Sequence, residues 1–253
     1  MGDEPWPEVR VDYANGEADG EWHLGFGGRR ACFRLPGGLL RLERERARMT
    51  VRTEVPLPED TLVHPWITSG AAMFARWHGR DAFHGGAFVA GDGALAVLGE
   101  KGGGKSTLLA CLASGGHGVV SDDLLVLEDG HVFAGARCVD LRPGTAEAIG
   151  ISGLSPARGS TRGRLKLGPV PGRLPLRGIV HLAWDDDIAV VAVPLRDRIA
   201  RLRAQNAFGA APASESGLLD MVALPTLELR RPRHIDALGD TAEALLWAIA
   251  RWP

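Results

Sequence analysis

In the stretch GEKGGGKST, residues 99–107, glycine stands at 99, 102, 103 and 104, followed by Lys105, Ser106 and Thr107. Glycines in series let successive backbone N–H groups turn onto one anion with no side chains in the way. The spacing Gly99, four residues, Gly104-Lys105-Ser106 is that of a loop cradling nucleotide phosphates between a strand and a helix. On that reading Lys105 reaches the β and γ phosphates and the Ser106 hydroxyl ligates Mg2+, so the expected ligands are ATP and Mg2+. Glu100 and Lys101 share the loop, with Lys101 either adding charge over the phosphates or pointing into solvent. Only three lysines stand against 26 arginines in the chain, and two of the three fall here.

Sixteen residues beyond Ser106 comes Asp122, the first carboxylate of Ser121-Asp122-Asp123. Two carboxylates beside a triphosphate can divide the work, one taking the proton of an attacking hydroxyl and the other holding the metal. The apolar residues on both sides, VV before and LLVL after, predict that the pair sits within an element rather than in a turn, where charge needs a reason. The short spacing also discriminates. Transport-type and recombinase-type ATPases place their acidic strand further downstream, no LSGGQ-like segment is present, and the Asn-Lys-x-Asp base reader of small GTPases is missing. A kinase remains the simplest class. Upstream, His84 precedes Gly85-Gly86, which allow close backbone approach, in the strand that leads to the loop.

The elements that must position these groups follow from the pattern. Residues 8–55 alternate in short segments broken by Gly, Pro and Asn, which predicts a small antiparallel sheet. A helix is expected over 61–79 after Pro65. AFHGGAFVA and ALAVLG, joined at Gly91-Asp92-Gly93, read as a hairpin that delivers the loop, and STLLACLAS as the helix after it. GVVSDDLLVLED, 118–129, reads as one further strand turning at Asp129-Gly130. RGIVHLAW and IAVVAV are expected to pair around Asp185-Asp186-Asp187. Helices are predicted near 196–207 and 240–252, the second opened by Asp240 and Glu243 at capping-box spacing. The whole is a mixed α/β chain, divided into a β-rich N-terminal subdomain, 1–60, and a catalytic domain, 61–253.

Composition narrows the partners. At 253 residues the chain buries enough surface to fold without staples. A formal charge of −2 and 6% aromatic residues leave no footprint for nucleic acid. Cys32, Cys111 and Cys138 are odd in number and widely spaced, which fits neither a disulfide framework nor a Cys-x-x-Cys knuckle. The N-terminus MGDEPWPE lacks a signal sequence and no apolar run approaches 18 residues. A cytoplasmic protein with no membrane partner is expected.

His84-Gly85, a hairpin, GEKGGGKST, a helix and then SDD, in that order and spacing, resemble the HPr kinase/phosphorylase family and its shorter relatives, the HPr-kinase-like serine kinases encoded beside peptide-modifying genes such as lasso-peptide clusters. The resemblance covers residues 61–145 and extends more weakly over PVPGRLPLRGIVHL and LRRPRHIDAL. It implies a P-loop kinase core related to phosphoenolpyruvate carboxykinase, with Mg-ATP as donor and a serine of a small protein or peptide as acceptor. It further implies Asp122 as base, Asp123 supporting metal or base, and His84 near the transferred phosphoryl group; a homo-oligomer is left open. The chain departs from the family in the loop residues Glu100-Lys101-Gly102, in lacking an EIRGLG signature, and in its short N-terminal region. A kinase of a free small-molecule hydroxyl and a non-catalytic nucleotide-binding regulatory subunit are the rival readings. Arg162, Arg164 and Lys166, which could close over ATP or the acceptor and read otherwise as a solvated loop, and Asp140 and Arg142 before Pro143 are secondary candidates for the site.

Overall fold

The computed structural model describes residues 8–15, 25–26, 28–157, 161–207 and 215–252. Two compact units divide the chain, 1–78 and 79–253.

In the first unit β1 (Arg10–Asn15), β2 (Gly25–Phe26), β3 (Arg30–Leu35), β4 (Gly38–Glu43) and β5 (Arg48–Thr53) form one sheet in the order β1-β5-β4-β3-β2. The expected antiparallel meander holds for β2 to β5, whereas β1 lies parallel to β5. A long connection separates β1 from β5, and only such a connection, unlike a tight turn, can bring a strand back in the same direction. One helical turn, α1 (Glu59–Thr61), and a π-helical stretch (Leu62–Ile67) lead into α2 (Thr68–Trp77). Gly70 of α2 sits where a Cβ would come within 2.7 Å of the Met49 sulfur, so glycine lets the helix lie directly on β5.

The second unit carries the sequence-predicted hairpin, β6 (Asp81–Ala90) and β7 (Gly93–Leu98), and the following helix α3 (Lys105–Ser114). Beyond it come β8 (Val119–Ser121), β9 (Leu124–Glu128), β10 (His131–Phe133), β11 (Cys138–Leu141), α4 (Thr145–Ala148), β12 (Ser155–Ala157), β13 (Arg162–Lys166) and β14 (Arg173–Trp184). The chain closes with β15 (Ala189–Ala192), α5 (Leu195–Ala204), α6 (Glu215–Ala223), β16 (Thr226–Arg231) and α7 (Leu238–Ile249). The main sheet is mixed. Its order is β10-β9-β6-β7-β14-β16-β15, with β8 also on β6 and the start of β14 on β10. A second sheet holds β11-β13-β12.

Alternation along β7 explains the layers. Ala94, Ala96 and Leu98 face a core shared with Leu202 of α5 and Met221 of α6. Leu95 and Val97 face the opposite core, with Leu108 and Leu109 of α3 and Leu245 of α7. A strand buried on both faces reads as continuous apolar sequence, as ALAVL does.

Three expectations are corrected here. The span 118–129 is two strands, with Asp122 and Asp123 at a bend between them. The segments around Asp185–Asp187 are not paired with each other: β14 runs parallel between β7 and β16, and β15 pairs with β16. Two apolar runs flanking a turn resemble a hairpin, but the later strand β16 takes the place between them. Asp240 lies inside α7, whose N-cap position is Ala237 with no side-chain cap, so the capping box does not form. Among the described residues no helix is long and apolar enough to cross a membrane.

Candidate functional site

β7 ends at Leu98, and the chain crosses Gly99–Gly104 before α3 begins at Lys105. Gly102 (φ +83°) and Gly104 (φ +80°) take left-handed backbone, which glycine adopts without steric cost. A Cβ on Gly104 would also stand 1.9 Å from Nη2 of Arg231. That guanidinium donates to the Gly103 carbonyl at 3.1 Å and lies 4.2 Å over the Trp184 ring, pinning the loop from β16. Burial lowers the Arg231 pKa to about 10, which leaves it a cation near neutral pH. Lys105 is buried, and its ammonium donates to the carbonyls of Gly99 (2.7 Å) and Glu100 (2.9 Å) across the loop. Burial pulls its pKa below the usual lysine value, with Asp122 and Asp123 acting in the opposite sense. The positive end of α3 faces the same loop, so N–H groups, helix dipole and ammonium converge where an anion would sit.

The carboxylates arrive at a bend between β8 and β9, closed by the Leu124 N–H donating to the Asp122 carbonyl at 2.9 Å. β8 and β9 both pair antiparallel with β6, Ala87 opposite Ser121 and His84 opposite Leu124. Gly85 and Gly86 of β6 lie between those registers, alongside Asp122 and Asp123. A Cβ on Gly86 would come within 2.5 Å of the Ser121 carbonyl oxygen, so the second glycine after His84 is what admits this close approach. Asp122 is buried and accepts from the Ser106 hydroxyl at 3.1 Å. Asp123 has φ +66°, an uncommon conformation for a residue with a Cβ. It lines a cleft of about 370 Å3 together with His84, Lys105 and Ser106. Burial first, and the Lys105 charge after it, hold the His84 imidazole below its ordinary pKa, while Asp123 opposes them. His84 is therefore neutral near pH 7.

Of the other sequence-predicted residues, Thr107, Lys101, Gly102 and Gly104 line the same cleft, as do Asp140, Arg142 and Arg162. Gly99, Glu100 and Gly103 line a second cleft of about 710 Å3, which adjoins the first at Lys101 and Gly102. Arg164 does not point to the phosphates; it forms a buried two-pronged pair with Asp140 at 2.7 and 2.9 Å. Lys166 lies in a separate cavity with His117 and Ser152. Sequence reasoning passed over Arg231, Trp184, Arg233 and His181. Arg231 and Arg233 belong to LRRPRH, one of the segments quoted for the resemblance, which is the signal that points to them.

No protein-family model and no curated protein matches the sequence. Among solved structures, the Hpr(Ser) kinase/phosphatase from Coxiella burnetii aligns with 67% of this chain and 97% of its own, at 14% identity and a TM-score of 0.37. Similarity at that level carries no weight for this chain, whose site stands on its own geometry.

The donors fit a hard divalent cation. A hydroxyl and a carboxylate oxygen already 3.1 Å apart, beside the glycine loop, are oxygen ligands of the kind Mg2+ takes while keeping several waters.

Proposed function

We propose that the protein is an ATP-dependent phosphotransferase that moves the γ-phosphoryl group to a serine hydroxyl of a small protein or peptide. The observation that carries this reading is the single cleft in which Lys105 and Ser106 of the glycine loop meet the strained Asp123 and the neutral His84. A regulatory nucleotide-binding subunit has no use for a second carboxylate held at that mouth.

The backbone N–H groups of Gly102 to Lys105 hold the β and γ phosphates in line, and the Lys105 ammonium, released from two carbonyls of its own loop, turns to them. Ser106 and Asp122 would hold Mg2+, which would supply positive charge to offset that of the phosphates. Asp123, on the cleft side, takes the proton of the serine hydroxyl as its oxygen bonds to the γ phosphorus; the bond to the bridging oxygen breaks and ADP leaves. Neutral His84 orients that hydroxyl without adding positive charge beside Lys105. The resemblance implies Asp122 as base and Asp123 with the metal, and the Ser106–Asp122 hydrogen bond favours the exchange of those two roles.

Incubation with γ-labelled ATP, Mg2+ and a library of serine peptides tests the proposal. The expected result is acid-stable label on serine. Label confined to a metabolite, or tight Mg-ATP binding with no transfer to any acceptor, would overturn it.

A further inference from the structure

The second cleft takes no part in the steps above. It lies under Gly99–Gly103 and is closed by the end of β14 and by Arg201, Ala204 and Gln205 from α5 and the residue after it. Its charge is one-sided. Lys101, Arg142, Arg201 and Arg233 line it against a single carboxylate, Glu100. Arg201 is held in place by an ion pair to the buried Glu228, which Arg230 also contacts at 2.7 Å. Among the described residues no carboxylate stands within ion-pair distance of Arg142 or Arg233, both exposed at the rim. Deeper in, His181 is only 4% exposed and its Nε2 has no hydrogen-bond partner. A buried polar atom without a partner is costly unless a ligand supplies one.

The two clefts share Lys101, Gly102, Arg142, Trp184 and Arg233. A ligand in the second cleft thus reaches the loop at its first half, whereas Lys105, Ser106 and Thr107 line the first cleft alone. In-line transfer requires the acceptor to approach from the side opposite the leaving oxygen. Lys101 and Gly102 line both clefts, so an acceptor seated in the second comes to phosphates held by the loop from that end. There the clefts join.

Resting on the phosphotransferase reading, we infer that the second cleft receives the acceptor and selects a serine that stands next to a carboxylate. The carboxylate side chain of the acceptor sits between Arg201 and Arg233 with His181 donating to it, and the serine hydroxyl is thereby carried over Lys101 towards Asp123.

Equilibrium binding of two peptides differing at one position, Gly-Ser-Asp-Gly and Gly-Ser-Asn-Gly with blocked ends, to the full chain saturated with ADP and Mg2+ tests this without turnover. The aspartate peptide is expected to bind about tenfold tighter, the size of one hydrogen bond to a charged group. Ala204→Trp, which fills the cleft from the exposed end of α5, is expected to weaken that peptide by about tenfold or more while ADP affinity stays within about twofold. Equal binding of the two peptides overturns the inference. So does Ala204→Trp weakening ADP instead, which would make this the nucleoside cleft. Neither result touches the phosphotransferase reading, which fails separately if labelled ATP marks no serine.

Discussion

The glycine loop and the aspartate bend both pass through left-handed backbone within one cleft, yet they do so with different residues. In the loop Gly102 and Gly104 adopt it freely; at the bend Asp123 holds φ +66° with a Cβ in place. A conformation that costs on the order of 1 kcal/mol persists only when the surroundings impose it, and such residues concentrate at working sites. The loop takes it without cost. At the bend it leaves Asp123 lining the cleft while Asp122 accepts from Ser106.

That contrast can be broken at several points. The largest effect is expected at Lys105. Lys105→Ala should lower transfer by about 10²–10³-fold, the usual loss when one preorganised donor to developing charge is removed; steady-state rates with labelled ATP give the number, and a wild-type rate would remove Lys105 from the phosphates.

The buried His181 separates structure from chemistry. Burial, with the Arg201 charge of α5 adding to it and Glu228 of β16 opposing, lowers its folded pKa to about 4 from 6.5. A depressed folded pKa means the unfolded chain binds the extra proton first. Stability is therefore complete above pH 6.5 and falls as the pH drops from 6.5 towards 4, by about 3 kcal/mol in all. Urea melts across that range should show the loss in the wild type and flatten in His181→Leu; parallel curves would show that another group titrates.

Within the loop, Gly104→Ala should be worse than Gly102→Ala. Both meet the left-handed penalty of about 1–2 kcal/mol, but a Cβ at 104 also strikes the Arg231 guanidinium, whereas at 102 nothing stands within 4 Å. Melting temperatures and nucleotide affinity together rank the two, and equal effects would mean that Arg231 does not pin the loop. The smallest change is in the favourable direction: Asp123→Gly should raise stability by about 1 kcal/mol while abolishing most transfer, a trade typical of strained functional residues. A destabilised Asp123→Gly would show that the bend is held for packing.

How far the sequence foretold these features depends on the range of the interactions that set them. The hairpin, the glycine loop and α3 are local in the chain, and Asp-Gly turns and an apolar run announce them. The bend was missed because VVSDDLLVL reads as one strand; it lies against Gly86 of β6, more than thirty residues away, which permits the close approach. The place of β16 between β14 and β15 was missed for the same reason, since IAVVAV follows an acidic turn and only the later strand decides the pairing. Ser106 and Asp122 could be named from spacing, but which carboxylate meets Ser106 and which lines the cleft is fixed by backbone direction at the bend. Arg231 lies in LRRPRH, but its place against Gly104 is set only in three dimensions; His181 carries no local pattern and is marked only by burial beside Glu228 and Arg201.

The division of labour between the paired carboxylates is tested most directly by measuring, on the same preparations, ATP affinity and single-turnover transfer to a serine peptide for the wild type, Asp123→Asn and Asp122→Asn. Asp123→Asn should keep ATP affinity within about twofold and lose about 10²–10⁴ in transfer at every Mg2+ concentration, while Asp122→Asn should recover part of its loss as Mg2+ is raised. Transfer that survives in Asp123→Asn, or a loss there that added Mg2+ repairs, would contradict the assignment.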